Sequence, residues 1–427
     1  MQLTIRRYQE DPQMHKWKMA IWMILLKEMA PGMHFSKVRD GAETVLMKIF
    51  CQREIEFLSD NSMRQSKLLF QSTCSFLNKQ KILKQTKKNY FLHHSAFYCQ
   101  KTADGPKVLV TRKLIDPALQ KIREAFPTVQ LDVWPEEQTP IPRTVLLEKV
   151  SSGLDGLICM LSDKVDSELL KCCPKNKLRV VSTMSVGFNH IDLETCKRHK
   201  IKVGNTPDVL TETTADLVLG LTLATCRRFR EAISSVEQGK WGSWSPYWLC
   251  GVDVHHSKVG IVGFGRIGQA VARRFLGFDC QILYNSRTEK AAGKKMGASF
   301  VDLDTLLRES DIVIPQCLLS EETRNMFHLE AFKKMKPTAI FINASRGEVV
   351  DQEALYQALK QGIIRGAGLD VCVPEPLPPS HPLLSLPNCT ILPHIGSAST
   401  STREKMSYMC VENLIAGLEN QSLPYAV

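Results

Sequence analysis

The sequence predicts an α/β protein: two doubly wound parallel sheets, with an extension of different character in front of them. Three observations lead there. From Lys107 onward, short β-branched apolar runs alternate with amphipathic helical stretches, the pattern of parallel strands covered on both faces. After an aromatic loop over 241–248 the strand series starts again, so one sheet does not account for the chain. Before residue 105 the composition changes: only 2 of 24 glycines but 8 of 15 methionines lie there.

The elements follow in order. Residues 107–110 read as a strand, 117–125 as a helix, 129–133 as a strand and 143–152 as a helix. Strands fit 156–160, 178–182 and 201–203. A long helix over 213–228 follows, with Thr211 or Thr213 as its cap. The second series has strands at 258–262, 280–284, 312–314, 339–342, 366–369 and 390–392. Pro315 lacks a ladder donor and should end its strand.

Composition narrows the function classes. With 44% hydrophobic and 23% charged residues, the chain is not a disordered, collagenous or disulfide-miniprotein sequence, and its 427 residues allow about three domains. The net charge of +11 is unevenly placed: residues 1–104 hold 17 basic and 9 acidic side chains, residues 105–427 hold 38 and 35. Most of the excess therefore belongs to the extension. The fourteen cysteines form no C-x-x-C and no zinc-spaced Cys/His cluster, so reduced thiols, no metal and a cytoplasmic location are expected. The longest early apolar run, 19–26, is far too short to span a membrane. Within the extension, a basic run over 79–88 lies near Tyr90, Phe91, Phe97 and Tyr98. A nucleic-acid arm would use such residues. No binding motif accompanies them, and a poorly ordered, partly helical tail is the expectation.

Gly263-Phe-Gly265-Arg266-Ile267-Gly268 stands between a strand and a helix, the setting that gives G-x-G-x-x-G a dinucleotide meaning. Gly263 permits the turn, Gly265 lets the backbone approach a pyrophosphate, and Gly268 lets helix and strand pack closely. An NAD enzyme should carry an acid at the tip of the next strand. Here the tip reads Asn285-Ser286-Arg287-Thr288, which suits a 2′-phosphate by charge-assisted hydrogen bonds, so NADP(H) is expected ahead of NAD(H). The alternative is that Arg287 is only a solvated loop charge.

Three further segments lie at or beyond strand ends, where open α/β sheets bind ligands. They are Phe341-Ile-Asn-Ala-Ser345-Arg346-Gly347, Gly368-Leu-Asp370-Val-Cys-Val-Pro374-Glu375-Pro376 and Leu392-Pro-His394-Ile-Gly396. Singly, Arg346 reads as a surface ion pair, Glu375 as a loop charge and His394 as a buried histidine. As an ordered set with the glycine turn, they closely resemble the D-isomer-specific 2-hydroxyacid dehydrogenases over roughly 107–423. The segments around Val186-Gly187, Asn205–Asp208, Trp241–Gly251 and Ser397 resemble the glyoxylate/hydroxypyruvate reductase branch.

The resemblance implies two Rossmann-like domains: a split flavodoxin-like substrate domain over 105–207 and 395–427, and a dinucleotide-binding domain over 208–394. It implies reduction of a small 2-keto acid, glyoxylate or hydroxypyruvate, to the 2-hydroxy acid. Histidine ionises near pH 6.5 and suits proton donation near neutrality. His394 takes that role, Glu375 orients it, and Arg346 forks onto the carboxylate and keto oxygen. Val186, Gly187, Asp370, Ser397 and Trp244 would complete the substrate site. Gly263 to Gly268, Asn285 to Thr288, Leu318, Ala344, Asp370 and Gly396 would hold the cofactor. Asp370 would contact the nicotinamide amide or the substrate arginine, or be a turn residue. A homodimer would form through the 213–228 helix and the 241–248 loop, where Trp244 either reaches a neighbouring site or is interface core. Two departures from the family are visible. Pro315-Gln316-Cys317-Leu318 stands beside the cofactor where relatives keep smaller or more polar residues, and Asp279 replaces the usual glycine at a left-handed position. A second reading of the same fold is a dinucleotide-sensing, corepressor-like binding module.

Overall fold

The computed structural model describes residues 105–175 and 177–427. The basic run and aromatic residues of the extension lie outside the described residues. The first sheet is built from β1 (Lys107–Val110), α1 (Asp116–Ala125), β2 (Gln130–Val133), α2 (Arg143–Ser151), β3 (Gly156–Cys159), α3 (Ser167–Cys172), β4 (Val180–Thr183), α4 (Leu193–Arg198) and β5 (Lys202–Gly204). Its strands are all parallel, in the order β2-β1-β3-β4-β5.

The chain then crosses through α5 (Thr211–Cys226) and α6 (Phe229–Glu237). The second sheet follows: β6 (Lys258–Val262), α7 (Arg266–Leu276), β7 (Gln281–Asn285), α8 (Ala291–Met296), β8 (Ser299–Phe300), α9 (Leu303–Glu309), β9 (Ile312–Pro315), α10 (Leu329–Lys334), β10 (Ile340–Asn343), α11 (Gln352–Lys360), β11 (Gly366–Leu369) and β12 (Cys389–Ile391). Its order, β12-β11-β10-β9-β6-β7-β8, reverses at β6, and ligands bind at such a switch point. Helix α12 (Thr400–Leu418) returns to cover the first sheet.

β3, β4, β9, β10 and β11 are buried at every residue, so their sequences are largely apolar rather than alternating, with polar residues only toward the ends of β4 and β10. α12 buries Met406, Cys410, Val411, Leu414 and Leu418, each worth about 2 kcal/mol of apolar burial. Gly417 lets the helix lie directly on Val180, since a Cβ there would overlap the valine side chain.

Several expectations shift. No side chain caps α5: Leu210 occupies the cap position and Thr211 is already helical. Asp208, at φ +67, turns the chain and its carbonyl accepts from Thr211 N–H, so the helix starts early. Thr213 Oγ1 instead hydrogen-bonds Thr402 Oγ1 of α12 at 2.7 Å. The helix also ends early, at Cys226, because Arg228 is left-handed and begins α6. β8 escapes sequence reading because both its residues are exposed. Pro315 does end β9, and Asp279 is left-handed at φ +54. Among the described residues all eleven cysteines are free, no group of side chains forms a metal site, and no helix is long and apolar enough to cross a membrane.

Candidate active site

A cleft of about 1170 Å³ is lined by the carboxyl ends of strands from both sheets. On the second sheet, β6 ends at Val262 and Gly263 takes φ +100, a conformation that favours glycine. A Cβ there would also run 2.6 Å from the backbone of Gln316 and Cys317. Gly265 caps α7 without a side-chain hydrogen bond, and nothing lies within 4 Å of where its Cβ would stand. The backbone at Gly265 thus has open space beside it, next to the uncapped start of α7, a setting that fits a pyrophosphate. Ile267 and Ala344 line the same cleft, and Leu318 is 73% exposed at its rim.

At the tip of β7, Asn285 Nδ2 donates to the Val301 carbonyl at 3.0 Å and Ser286 Oγ to the Thr288 carbonyl at 2.7 Å. Arg287 is exposed, and Lys290 Nζ lies 3.1 Å from Thr288 Oγ1, a second cation that sequence reading missed. The nearby acid, Glu289, pairs with Lys294 at 2.8 Å. Arg266 is drawn away from the turn by Asp208, at 2.7 Å.

His394 and Glu375 meet. Glu375 Oε2 lies 2.7 Å from His394 Nδ1, and Oε1 accepts from the Cys372 N–H at 3.0 Å. Burial would raise the Glu375 carboxyl. The His394 hydrogen bond and charge, the Cys372 N–H and Arg346 outweigh it and hold the carboxyl below its ordinary value. With Nδ1 engaged, Nε2 is the ring nitrogen left for a ligand.

Asp370 follows β11, is 1% exposed, and does not bond Arg346. Its two oxygens accept from the backbone N–H groups of Ile395 and Gly396, both at 2.8 Å. It thereby pins the turn after β12 that carries His394, itself left-handed at φ +54. The structure shows Asp370 acting as a turn residue, through backbone bonds that leave no sequence trace. Burial raises the Asp370 carboxyl.

Arg346 follows β10. Asn343, buried at the strand end, accepts from Ser345 N–H and Oγ–H at 3.0 and 2.8 Å and donates to the Arg346 carbonyl at 2.9 Å. Arg346 Nε donates to Asn189 Oδ1 at 3.2 Å, and Gly187 backs its guanidinium. Val186, Gly187 and Ser397 line the cleft with Arg346, Glu375, His394 and Asp370. Trp244 does not: it is 85% exposed.

Two parallel sheets sharing one cleft, with a dinucleotide turn on one wall and a His–Glu pair beside a half-buried arginine, define a nicotinamide-dependent oxidoreductase. The family model for "D-isomer specific 2-hydroxyacid dehydrogenase, NAD binding domain" matches residues 219–396. A mouse (Mus musculus) protein named glyoxylate reductase/hydroxypyruvate reductase is 49% identical over 320 residues, covering 74% of this chain and 96% of its own. A glyoxylate reductase of Thermococcus kodakarensis is 47% identical over 324 residues, covering 75% and 95%. Among solved structures, a Thermus thermophilus protein aligns with TM-score 0.69 and 44% identity over 75% of this chain and 99% of its own. An NADPH-dependent glyoxylate/hydroxypyruvate reductase from Sinorhizobium meliloti, in complex with NADP and malonate, aligns with TM-score 0.64 and 31% identity, over 75% and 96%. The chain belongs to the D-isomer-specific 2-hydroxyacid dehydrogenase family.

Proposed function

We propose that the protein reduces small 2-keto acids, glyoxylate and hydroxypyruvate foremost, with NADPH preferred to NADH. The observation that carries this reading is the 2.7 Å His394–Glu375 pair set in one cleft with Arg346 and with Ile267 of the glycine turn. The names of the relatives at 47–49% identity support the substrate class.

Arg346 and the backbone N–H groups at Val186 and Gly187 bind the substrate carboxylate, and the guanidinium also polarises the keto oxygen. His394 gives the Nε2 proton to that oxygen as it becomes a hydroxyl. Glu375 holds Nδ1, fixing the ring and balancing its positive charge. Asp370 keeps the His394 backbone in place, and Ser397 lines the substrate side. The dinucleotide, when bound, supplies the hydride to C2. The α7 N-terminus holds its pyrophosphate, and Arg287 with Ser286, Thr288 and Lys290 receives a 2′-phosphate.

The protein works as a homodimer. Phe229, Ile233 and Val236 recur on one face of α6, all at least half exposed, and Trp241, Trp244 and Tyr247 of the following loop are exposed as well. A second copy covers this face and brings Trp244 to the neighbouring cleft.

Purified protein should oxidise NADPH in the presence of glyoxylate or hydroxypyruvate. A tight, cofactor-dependent peptide partner without turnover would instead favour the corepressor-like reading.

A further inference from the structure

The loop after β4 is braced from beneath by side chains that the chemistry above does not use. His190 Nε2 lies 2.9 Å from Thr183 Oγ1, and Thr183 Oγ1 lies 2.8 Å from Ser185 Oγ. Ser185 Oγ donates to the Gly187 carbonyl at 2.7 Å. Each hydroxyl has one proton to give. Ser185 gives its proton to the carbonyl, so Thr183 must donate to Ser185. With the Thr183 proton committed, His190 must donate to Thr183. The three bonds coexist only in that direction, which places the His190 proton on Nε2 and leaves a lone pair on Nδ1. Nδ1 is the buried ring atom with no partner among the described residues, as a bare lone pair is. A proton there would be an unpaired buried donor close to the Arg346 guanidinium. Burial, and then the charge of Arg346, push the ring down to about 4.

The chain of donors ends at Gly187, which lies against the Arg346 guanidinium. In a trans peptide the C=O and N–H point opposite ways. Asn205 Nδ2 holds the Val186 carbonyl at 2.8 Å, which aims the Gly187 N–H away from it. Ser185 holds the Gly187 carbonyl and so fixes the next peptide plane. Gly187 in turn backs the Arg346 guanidinium, whose Nε is held by Asn189, next to His190 in the chain.

We propose that His190, acting through Thr183 and Ser185, is a positioning residue for the carboxylate anchor made by Gly187 and Arg346. The identity of the anion rests on the 2-keto-acid reading; the proton arrangement does not.

The test compares full-length wild type with Ser185→Ala, which removes the last link without touching Arg346, and with His190→Phe, which removes the first. Oxalate is the carboxylate probe, with its affinity measured by calorimetry. Each variant should weaken oxalate binding and raise the glyoxylate KM about tenfold, the loss of roughly one hydrogen bond, with kcat within about threefold and NADPH affinity unchanged. The double variant should be no worse than the poorer single one, because both break one chain. His190→Asn, which keeps an N–H donor, should recover part of the loss. Nitrogen-15 NMR of the ring should show the Nε2–H form alone between pH 6 and 8. A ring protonated on Nδ1, fully additive losses, or unchanged oxalate affinity in Ser185→Ala would overturn the proposal. If wild type binds oxalate with this pattern but reduces no 2-keto acid, the functional reading fails and the relay stands.

Discussion

Gly187 and Arg346 are in contact so close that an ideal Cβ on Gly187 would lie 2.9 Å from the Arg346 Cζ and closer still to Nη2. The glycine has no positive φ to protect. Its role is the space it leaves.

Gly187→Ala should therefore displace the guanidinium while sparing the fold. A shift of that size at an anchoring group lowers kcat/KM about a hundredfold. Thermal melting should move little, since the site is half-exposed and unstrained. Steady-state kinetics beside a melting curve checks this, and full activity would mean Arg346 repositions freely.

Replacing His394 by alanine removes the proton donor, and kcat should fall by about 10²–10⁴. Glu375→Gln should give a smaller fall, because the amide keeps the shape but loses the charge that balances the ring. Direct titration of NADPH should give unchanged affinity in both variants, which separates lost chemistry from lost cofactor binding.

Cofactor choice should follow Arg287. Arg287→Asp removes a charge-assisted contact to a 2′-phosphate and offers an acid to a ribose hydroxyl. The ratio of kcat/KM for NADPH over NADH should drop at least tenfold. An unchanged ratio would leave Lys290 as the recognising cation.

Acid should destabilise the fold through His190. The ring sits at about 4 when folded and about 6.5 when unfolded, so the unfolded chain binds more protons between those values. The contribution is fully present above pH 6.5 and is lost as pH falls toward 4, by about 2–3 kcal/mol at pH 4.5. Urea unfolding across that range should show a shallower loss in His190→Phe than in wild type.

The apolar face of α6 should be a subunit contact. Ile233→Glu with Val236→Glu places charge at two exposed positions of that face and should give monomers by light scattering. Trp244→Ala should then alter substrate-size preference in the wild-type dimer only.

Much of the site is legible because each reacting side chain closes a strand: Arg346 after β10, Glu375 in the loop after β11, His394 just past β12. Apolar runs mark the strands and unusual residues mark their ends. What holds those side chains is less legible. Asp370 works through two backbone N–H groups, Asn343 through a turn, and His190 through two hydroxyls, none of which has a characteristic spacing. The cap of α5 is misread because a left-handed Asp208, not a threonine side chain, starts the helix.

The return of α12 to the first sheet also bears on biosynthesis. The first sheet's last strand ends at Gly204, but the helix that covers β3 and β4 starts at Thr400. A ribosome adding about 5–20 residues per second needs roughly 10–40 s to make the intervening chain. Through that interval Gly156 and Val180 lack the helix that seals them, and the nascent first sheet is a natural client for chaperones.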